Sequence, residues 1–552
     1  MRPMSLPSSR RTATLLAAPA LVVTALVGTS APASAATDPA PVGAGAAWLE
    51  SQLNDGVIHY DDGTYSFDDL ALSADVGFAL EAVGGHDDTV AQIVAAVAPR
   101  AHDEWYTSTY DGVTTLYAGS LAKAAAFAQA TGADPTAFGG QDLITTLEGT
   151  VAGPGPTAGR FQDENNDYGD TNTFGQAYAA EALDAAGSTS AASVTAFLLE
   201  QQCSGGWFRL NFADRGAAAQ SCDGGPAADS EPDTDATAIA LTALVSMHDD
   251  ALVPAIQRAE QWLLDTQHAN GSWGGGPTTE VANANSTGLA GAVLGQLGDT
   301  QAAQDAAALV RAHQLARVGA CAPYRAADLG AVAYDDATRS ALTSGVDADA
   351  TTQDQVRRAT AQALPVLAFA QPAGETHALA SPEYVKGGTR VGVGVIGAAP
   401  GEMLCAKRLP GDAGNHGWAN RNGEGHLRVH VPARTATNRI RVWNGAGVVD
   451  TVHVNALGPA QLTVSLQSKR VAGGHDQTVT LRGLEPGEMA EIDIRWPRNG
   501  SGASGQGVGG QANRNGVFHA TFRVPHAPGT AAVKGFGQFK NRKDTASFTV
   551  TR

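Results

Sequence analysis

Lysine is almost missing from the first two thirds of this 552-residue sequence, and cysteine is rare throughout. Lys123 is the only lysine before Glu375, and the chain has 4 cysteines. Four cysteines are too few for a scaffold held together by disulfides alone. No apolar run after residue 35 approaches the roughly 20 residues that a membrane-spanning helix needs. A chain with a net charge of -19 is also a poor nucleic-acid binder, because phosphates need a basic surface.

The first 35 residues have the pattern of a secretory signal peptide. Arg10 and Arg11 precede an apolar run that extends from Leu15 to Val27, and Ala33-Ser34-Ala35 has the small residues of a cleavage site. We therefore predict a signal peptide over residues 1–35 and an exported protein, secreted or loosely attached to the cell surface. The paired arginines leave twin-arginine export open beside the general secretory route.

Charge divides the mature chain into two parts of opposite sign. From Glu375 onward there are 21 basic and 12 acidic residues, whereas the preceding part of the mature chain has 12 basic and 43 acidic residues. A net field of one sign steers encounters with partners but does not specify a fold. The division predicts two modules with different partners, with a role in solubility alone as the alternative interpretation.

The acidic part contains two kinds of repeat. The pattern Q-x-x-x-G-x-W follows amphipathic runs, and a weaker copy with Gln52, Gly56 and Ile58 lies near the start. The two full copies consist of Gln201, Gly205 and Trp207, and of Gln267, Gly271 and Trp273. Between such copies lie polar residues followed by runs rich in alanine and glycine, which we interpret as closely packed inner helices that begin near Asp75, Thr114, Asp170, Asp235, Asn285 and Thr352. About six alternating outer and inner pairs predict a closed α/α toroid over residues 41–372.

These motifs resemble those of the prenyltransferase and squalene-oxidase repeat superfamily, whose α6/α6 toroid is found in terpene cyclases, prenyltransferase β-subunits, complement thioester domains and vitamin B12 carriers. The resemblance implies the fold but not the chemistry, since one fold serves many functions. Vitamin B12 carriers would imply a corrinoid ligand. Polysaccharide lyases and glycosidases with α/α barrels keep a carbohydrate-active enzyme open as a further alternative.

The stretch Pro232 to Leu241 decides between these branches. Cyclases that start by protonation carry D-x-D-D-T-A with a catalytic middle Asp, and this sequence has Asp233 and Asp235 but Ala236 in place of the third acid. Helix capping explains both carboxylates without catalysis, because Asp is among the best N-cap residues. We favour capping and a non-catalytic binding protein for an unidentified lipid, corrinoid or carbohydrate, with Asp235 as proton donor of a terpene cyclase as the alternative.

The segment Phe161 to Asp170 carries oxygen ligands at alternating positions, which is a pattern that can bind calcium. The candidate ligands are Asp163, Asn165, Asp167 and Asp170. Tyr168 stands where the loop of an EF-hand requires glycine. A solvated loop is the simpler interpretation, and calcium remains a possible cofactor.

The basic part is a second internal repeat. The segment that begins at Val385 aligns with the one at Val471, and ANRNG at Ala419 recurs at Ala512. Alternating apolar residues predict strands, and the two units predict Ig-like sandwiches over residues 373–457 and 458–552. We interpret the glycine-rich segment that starts at Gly500 as a flexible loop.

The basic residues of this part lead to a hypothesis of attachment to anionic cell-wall polymers. The candidates are Lys407, Arg408, Arg439, Arg441, Lys469, Arg470, Lys540, Arg542 and Lys543. Export favours oxidised cysteines. We predict a Cys203–Cys222 disulfide, which closes the loop before Asp235, and a Cys321–Cys405 disulfide, which ties the toroid to the first sandwich.

Overall fold

The computed structural model describes residues 36–166, 171–225, 230–276, 281–380, 384–411, 414–497 and 504–552. The signal peptide predicted over residues 1–35 lies outside this part of the chain. Helices form most of the acidic part of the chain, before Glu375, and strands form most of the basic part that follows. No helix in the described ranges is long and apolar enough to cross a bilayer.

Outer and inner helices alternate along the described part of the first domain. The outer helices are α1 (Ala40–Gln52), α3 (Asp87–Val97), α5 (Leu143–Gly149), α7 (Ala191–Glu200), α9 (Val253–Thr266) and α11 (Thr300–His313). The inner helices are α2 (Leu70–Val83), α4 (Ala118–Ala130), α6 (Thr173–Ala185), α8 (Thr234–Ser246), α10 (Ala284–Leu297) and α13 (Ala350–Ala363), with the short helix α12 (Asp336–Ala341) before the last of them. The hairpin strands β1 (Leu53–Asn54), β2 (Val57–Asp61) and β3 (Ser66–Asp69) precede α2, and β4 (Thr107–Tyr110) and β5 (Val113–Leu116) precede α4.

The inner helices form a closed ring. Each inner helix contacts the next in the order α2, α4, α6, α8, α10 and α13, and α13 returns to contact α2. Most of their alanines are buried, as on α4, and this allows close approach of neighbouring helices. The predicted α6/α6 toroid is confirmed, although the inner helices begin several residues away from some predicted starts: Asp75 lies inside α2.

The loops that link outer to inner helices repeat one hydrogen-bond pattern. Gln267 Nε2 donates to Gly271 O in its own loop (3.1 Å) and to Ala302 O at the start of the next outer helix (3.0 Å). Gln314 Nε2 donates in the same way to Pro41 O of α1 (2.8 Å). Each glutamine therefore ties the end of one outer helix to the start of the next, and Gln314 closes the ring.

The same pattern corrects the register of the first Q-x-x-x-G-x-W copy. Gln202, not Gln201, donates to Gly206 O (3.0 Å) and to Ala255 O of α9 (2.9 Å). The equivalent residues are thus Gln202, Gly206 and Phe208, one position later than Gln201, Gly205 and Trp207. Trp207 instead packs beside Trp262, with ring centroids 6.3 Å apart. The adjacent glutamines and adjacent glycines made the two registers indistinguishable in sequence.

The first sandwich consists of two sheets over a valine-rich core. One sheet has the order β10-β9-β12-β13-β7 and the other the order β11-β8-β6. The strands are β6 (His377–Ala380), β7 (Tyr384–Lys386), β8 (Arg390–Ile396), β9 (Met403–Leu409), β10 (Asn415–Trp418), β11 (Gly425–His430), β12 (Ala436–Asn444) and β13 (Gly447–Leu457). Alternating burial along β8 and β11 confirms the period-two pattern read from sequence.

The second sandwich repeats this architecture with sheets β14-β16-β19 and β15-β21-β20-β17-β18. Its strands are β14 (Thr463–Leu466), β15 (Arg470–Ala472), β16 (Asp476–Arg482), β17 (Met489–Arg495), β18 (Gly505–Gln511), β19 (Val517–Arg523), β20 (Gly529–Gly537) and β21 (Lys543–Thr551). The flexible-loop interpretation is wrong for the end of the glycine-rich segment, because β18 pairs antiparallel with β17 along its full length. Residues 498–503 lie outside the described ranges.

Both predicted cysteine pairs are confirmed. Cys203 and Cys222 are bonded with a Cα–Cα distance of 5.0 Å, and Cys321 and Cys405 with a distance of 5.8 Å. The second disulfide joins the toroid to β9 of the first sandwich. A charged contact supports the same junction, since Arg421 and Asp305 form an ion pair of 3.0 Å.

Arg542 is wrongly placed among the surface candidates for polymer attachment. Its side chain is 1% exposed and pairs with Glu488, which is 0% exposed, through Nε–Oε1 and Nη2–Oε2 contacts of 2.7 and 2.8 Å. It also donates to the carbonyl oxygens of Gly458 and Gly483. Arg542 therefore belongs to the core of the second sandwich.

Candidate functional site: the central cavity of the toroid

The inner helices start with a repeated cap at one end of the ring. Side-chain oxygens of Asp69, Asn172, Asp233 and Asn283 accept the backbone N–H three residues later, with distances of 2.8, 3.3, 2.8 and 2.9 Å. Asp233 is thus the N-cap of α8, as predicted. Asp235 is not a cap, and that prediction is wrong: it is the second residue of α8.

Counting from these caps explains which residues face the centre of the ring. Positions two and six residues after a cap are one helical turn apart and share a face. Counted from these caps, and from Tyr117 before α4, the first position supplies Ala71, Gly119, Phe174 and Asp235, and the second supplies Asp75, Lys123, Tyr178, Ile239 and Leu289. All of them line one cavity together with Gln362 of α13. This cavity has a volume of about 390 Å³. The inner helices therefore supply the wall at two successive levels.

An ion pair lies inside the cavity wall. Lys123 Nζ is 2.6 Å from Asp75 Oδ1, and the two side chains are 18% and 16% exposed. Lys123 also donates to the carbonyl oxygen of Ala71 at 3.2 Å. Sequence reasoning did not place either residue in a site. The available signal was a lone lysine inside an alanine-rich inner helix.

Asp235 is a carboxyl group with unsatisfied hydrogen-bonding capacity. Its Oδ1 is buried and has no hydrogen-bond partner among the described residues. Burial raises the pKa of Asp235 to about 6, the Ser286 hydroxyl opposes this rise, and the Asp233 carboxylate adds to it. A buried, poorly partnered carboxyl group costs stability, and such groups are concentrated at functional sites of proteins.

Aromatic rings and amides complete the wall. Trp105, Tyr117, Phe174 and Tyr178 line the cavity, and Tyr178 stacks on Phe78 with centroids 6.1 Å apart. Burial, and then the Asp75 carboxylate, raise the pKa of the Tyr178 hydroxyl. The cavity thus offers flat apolar faces beside hydrogen-bonding edges.

No family model matches the sequence, and no curated protein does. Among solved structures, the type II terpene cyclase MstE from Scytonema is 16% identical, with a TM-score of 0.41 over 60% of this chain and 96% of that chain. The ent-copalyl diphosphate synthase from Streptomyces platensis is 17% identical, with a TM-score of 0.35 over 55% of this chain and 51% of that chain. The adhesin InvE from Yersinia pseudotuberculosis is 14% identical, with a TM-score of 0.18 over 32% of this chain and 59% of that chain.

The ring of alternating helices, closed on itself, decides the fold. The helical domain is a closed α6/α6 toroid. The two β domains that follow it are Ig-like sandwiches. Asp235 lines the cavity of this toroid, whereas Ala236, the next residue of α8, is buried and is not part of the cavity lining.

The candidate calcium ligands have structural partners where they are described. Asp163 Oδ1 accepts the Ala118 N–H at the start of α4 (2.8 Å), and Asn165 Nδ2 donates to Thr114 O (2.9 Å). Asp167 and Asp170 lie outside the described residues. Calcium binding by this segment therefore stays a prediction.

The cap assignment yields a first expected result. Asp233→Ala removes the acceptor for the Ala236 N–H and should lower the free energy of unfolding of the toroid by about 0.5–2 kcal/mol. Asp233→Asn keeps the cap and should show no such loss. Urea denaturation followed by the helical circular-dichroism signal measures both. If Asp233→Ala is as stable as the wild type while Asp235→Ala loses stability, the cap is Asp235.

Proposed function

We propose that the chain is an exported, non-catalytic binding protein whose toroid holds a polar, hydroxyl-bearing ligand of carbohydrate class in its central cavity. The observation that carries this proposal is the wall itself, which brings an ion pair, an under-satisfied carboxyl group and aromatic faces into one cavity. A volume of about 390 Å³ lies within the range of small-molecule sites.

The polar groups of the wall argue against a lipid. An apolar ligand would displace water from Asp75, Lys123 and Asp235 without replacing its hydrogen bonds, and such desolvation is costly for charged groups. A hydroxyl-bearing ligand can donate to both carboxylates and accept from the ammonium group. The chemistry of the wall therefore favours a polar ligand.

The aromatic side chains argue for a ligand with flat apolar faces as well. Sugar rings have C–H faces and hydroxyl edges, and the rings of Phe174 and Tyr178 lie on two successive turns of α6. A sugar could stack its C–H faces on these aromatic rings. Its hydroxyl groups could form hydrogen bonds with the carboxylates and with Gln362, so that it would contact every kind of group in this wall. This match makes carbohydrate the favoured class over corrinoid and lipid.

The test is a binding assay on the mature, disulfide-bonded protein. Native mass spectrometry with a panel of neutral oligosaccharides, and with a fatty acid and a corrinoid as separate arms, should show an oligosaccharide complex. Asp235→Asn and Tyr178→Phe should weaken this complex about tenfold or more through lost hydrogen bonds. Asp249→Asn, an exposed cap outside the cavity lining, should bind like the wild type. Binding of the fatty acid or the corrinoid alone would contradict the proposed ligand class.

Acid-initiated cyclisation is a second candidate, favoured by the place of Asp235. A carboxyl group whose pKa is raised to about 6 stands in a cavity with aromatic walls, which is the arrangement of a proton donor facing a developing carbocation. The Lys123 ammonium group in the same wall opposes this function, because it repels a cation. Under the binding proposal, polyprenyl and squalene-like substrates give no cyclised product; a product that disappears in Asp235→Asn would establish the cyclase instead.

For the basic sandwiches we propose attachment to anionic cell-surface polymers. The exposed candidates are Arg439, Lys469, Arg470, Lys540 and Lys543, while Lys407, Arg408 and Arg441 are half-buried. Exposed cations attract polyanions through a field that salt screens over roughly 10 Å at 0.1 M. Surface charge alone supports this proposal and gives it no defined site.

A further inference from the structure

A cavity of about 230 Å³ on the first sandwich is lined by three arginines and a histidine. Arg390, Arg408, Arg428 and His430 surround it, with Asn415 between them. Its described lining residues include no carboxylate. The sequence hypothesis named only Arg408 from this group, because the others are scattered over 40 residues of alternating strand pattern.

The strand register explains why these cations meet. On the paired strands β8 and β11, Arg390 lies directly opposite His430, and Arg428 lies opposite Gly392. Side chains two residues apart on a strand share a face, so the two arginines and the histidine point from the same side of the sheet. Gly392 contributes no side chain, and a Cβ built there would meet nothing within 4 Å. The cations therefore stand beside open space.

The pairing of these cations is incomplete. The side chains of Arg390 and Arg428 make no hydrogen bond or ion pair with another residue in the described ranges, and both are exposed. Asn415 Oδ1 accepts the Arg428 backbone N–H (3.0 Å), which holds β10 against β11 at the cavity edge. Arg408 is anchored through Nη1 to Pro410 O (2.7 Å). Two unpaired guanidinium groups thus lie on a fixed frame.

We propose that this cavity is a binding site for an oxyanion, such as a phosphate or phosphodiester group. A guanidinium group presents parallel N–H donors that match two oxygens of such a group, and several cations at one point favour an anion over a neutral ligand. The inference rests on the proposed attachment role of the sandwiches in one respect: a phosphodiester polymer would supply the oxyanion. Free phosphate and polymer share this chemistry, and the experiment separates them.

The experiment titrates the full mature protein with inorganic phosphate and with poly(glycerol phosphate), each at low salt. The test variant is Arg390→Glu with Arg428→Glu. The control is Arg482→Glu with Arg514→Glu, which changes the net charge equally at exposed positions of the second sandwich. The test variant should lose affinity for the polymer about tenfold or more, whereas the control should lose less than about threefold through the weaker general field. Circular dichroism should show both variants folded, since these arginine side chains have no hydrogen-bond or ion-pair partner within the described residues.

The outcomes separate the site from the attachment role. If the test variant but not the control loses binding of both phosphate and polymer, the site exists and accepts an oxyanion from either of them. If the test variant loses binding of the polymer but not of phosphate, the site exists and requires a polymer. Equal losses in test and control variants overturn the site and leave attachment by diffuse charge. Wild-type binding of phosphate without polymer keeps the site and overturns attachment. Failure of the wild type to bind either probe at low salt overturns the inference.

Discussion

Asp235→Asn is expected to stabilise the toroid by about 2–3 kcal/mol at pH 8 and to leave its stability unchanged at pH 4. The pKa of Asp235 is raised from 3.8 to about 6 in the folded protein. The folded state therefore holds this proton more tightly than the unfolded chain does. The protonated carboxyl group stabilises the folded state fully below pH 4, and this stabilisation is lost as the pH rises through 6. It amounts to roughly 1.4 kcal/mol for each unit by which the pKa in the folded state exceeds the pKa in the unfolded chain.

The measurement is urea denaturation of wild type and variant at several pH values, followed by the helical signal. Asp142→Asn provides the matched control, because Asp142 is also an aspartate at a helix start, but its pKa is lowered by the Thr145 N–H. That variant should show no gain at pH 8. Equal stability of wild type and Asp235→Asn across this pH range would show that Asp235 is not held in a costly environment.

Arg542→Met is expected to destabilise the second sandwich by about 3–5 kcal/mol. The substitution leaves the Glu488 carboxylate buried without its cation, and an uncompensated buried charge is strongly destabilising. Two backbone carbonyls, of Gly458 and Gly483, lose their donor as well. Replacing both members, as in Arg542→Met with Glu488→Leu, should recover only the part of the loss that comes from the unpaired buried charge.

Hydrogen exchange of β17, β20 and β21 measures this effect locally, without requiring the toroid to unfold. The control is Arg523→Met, which breaks an exposed ion pair with Asp476 in the same sandwich. An exposed pair contributes little, so this variant should change stability by less than about 1 kcal/mol. Similar exchange rates in Arg542→Met and Arg523→Met would contradict the core role of Arg542.

Periodic features of the sequence predicted the toroid and the sandwiches, and the predicted export together with the position of the cysteines predicted both disulfides. Apolar and small residues at fixed spacing determine where helices and strands lie, and such patterns survive in a single sequence. The sequence did not determine the register of individual motifs. The doubled residues in Gln201-Gln202 and Gly205-Gly206 fit two registers, and only the hydrogen bonds of Gln202 to Ala255 distinguish them.

The candidate site was predicted in part. Asp233 and Asp235 were recognised, but one cap is enough for one helix, and the sequence does not show that Asp233 fills this role. Lys123 and Asp75 meet across two inner helices that are separated by a complete outer helix. The contact between Lys123 and Asp75 depends on how the helices pack into a ring, and the grouping of Arg390 with His430 depends on strand pairing. Neither contact follows from the spacing of residues in the sequence.

The central claim is that a polar ligand enters the toroid and contacts Asp235. The most direct measurement is a crystal structure of the protein with the oligosaccharide that binds it most tightly. The account predicts ligand density between Tyr178 and Asp235, with a ligand hydroxyl about 3 Å from a carboxylate oxygen of Asp235. Ligand density confined to the toroid's outer surface or to the sandwiches, with an empty central cavity, would contradict it.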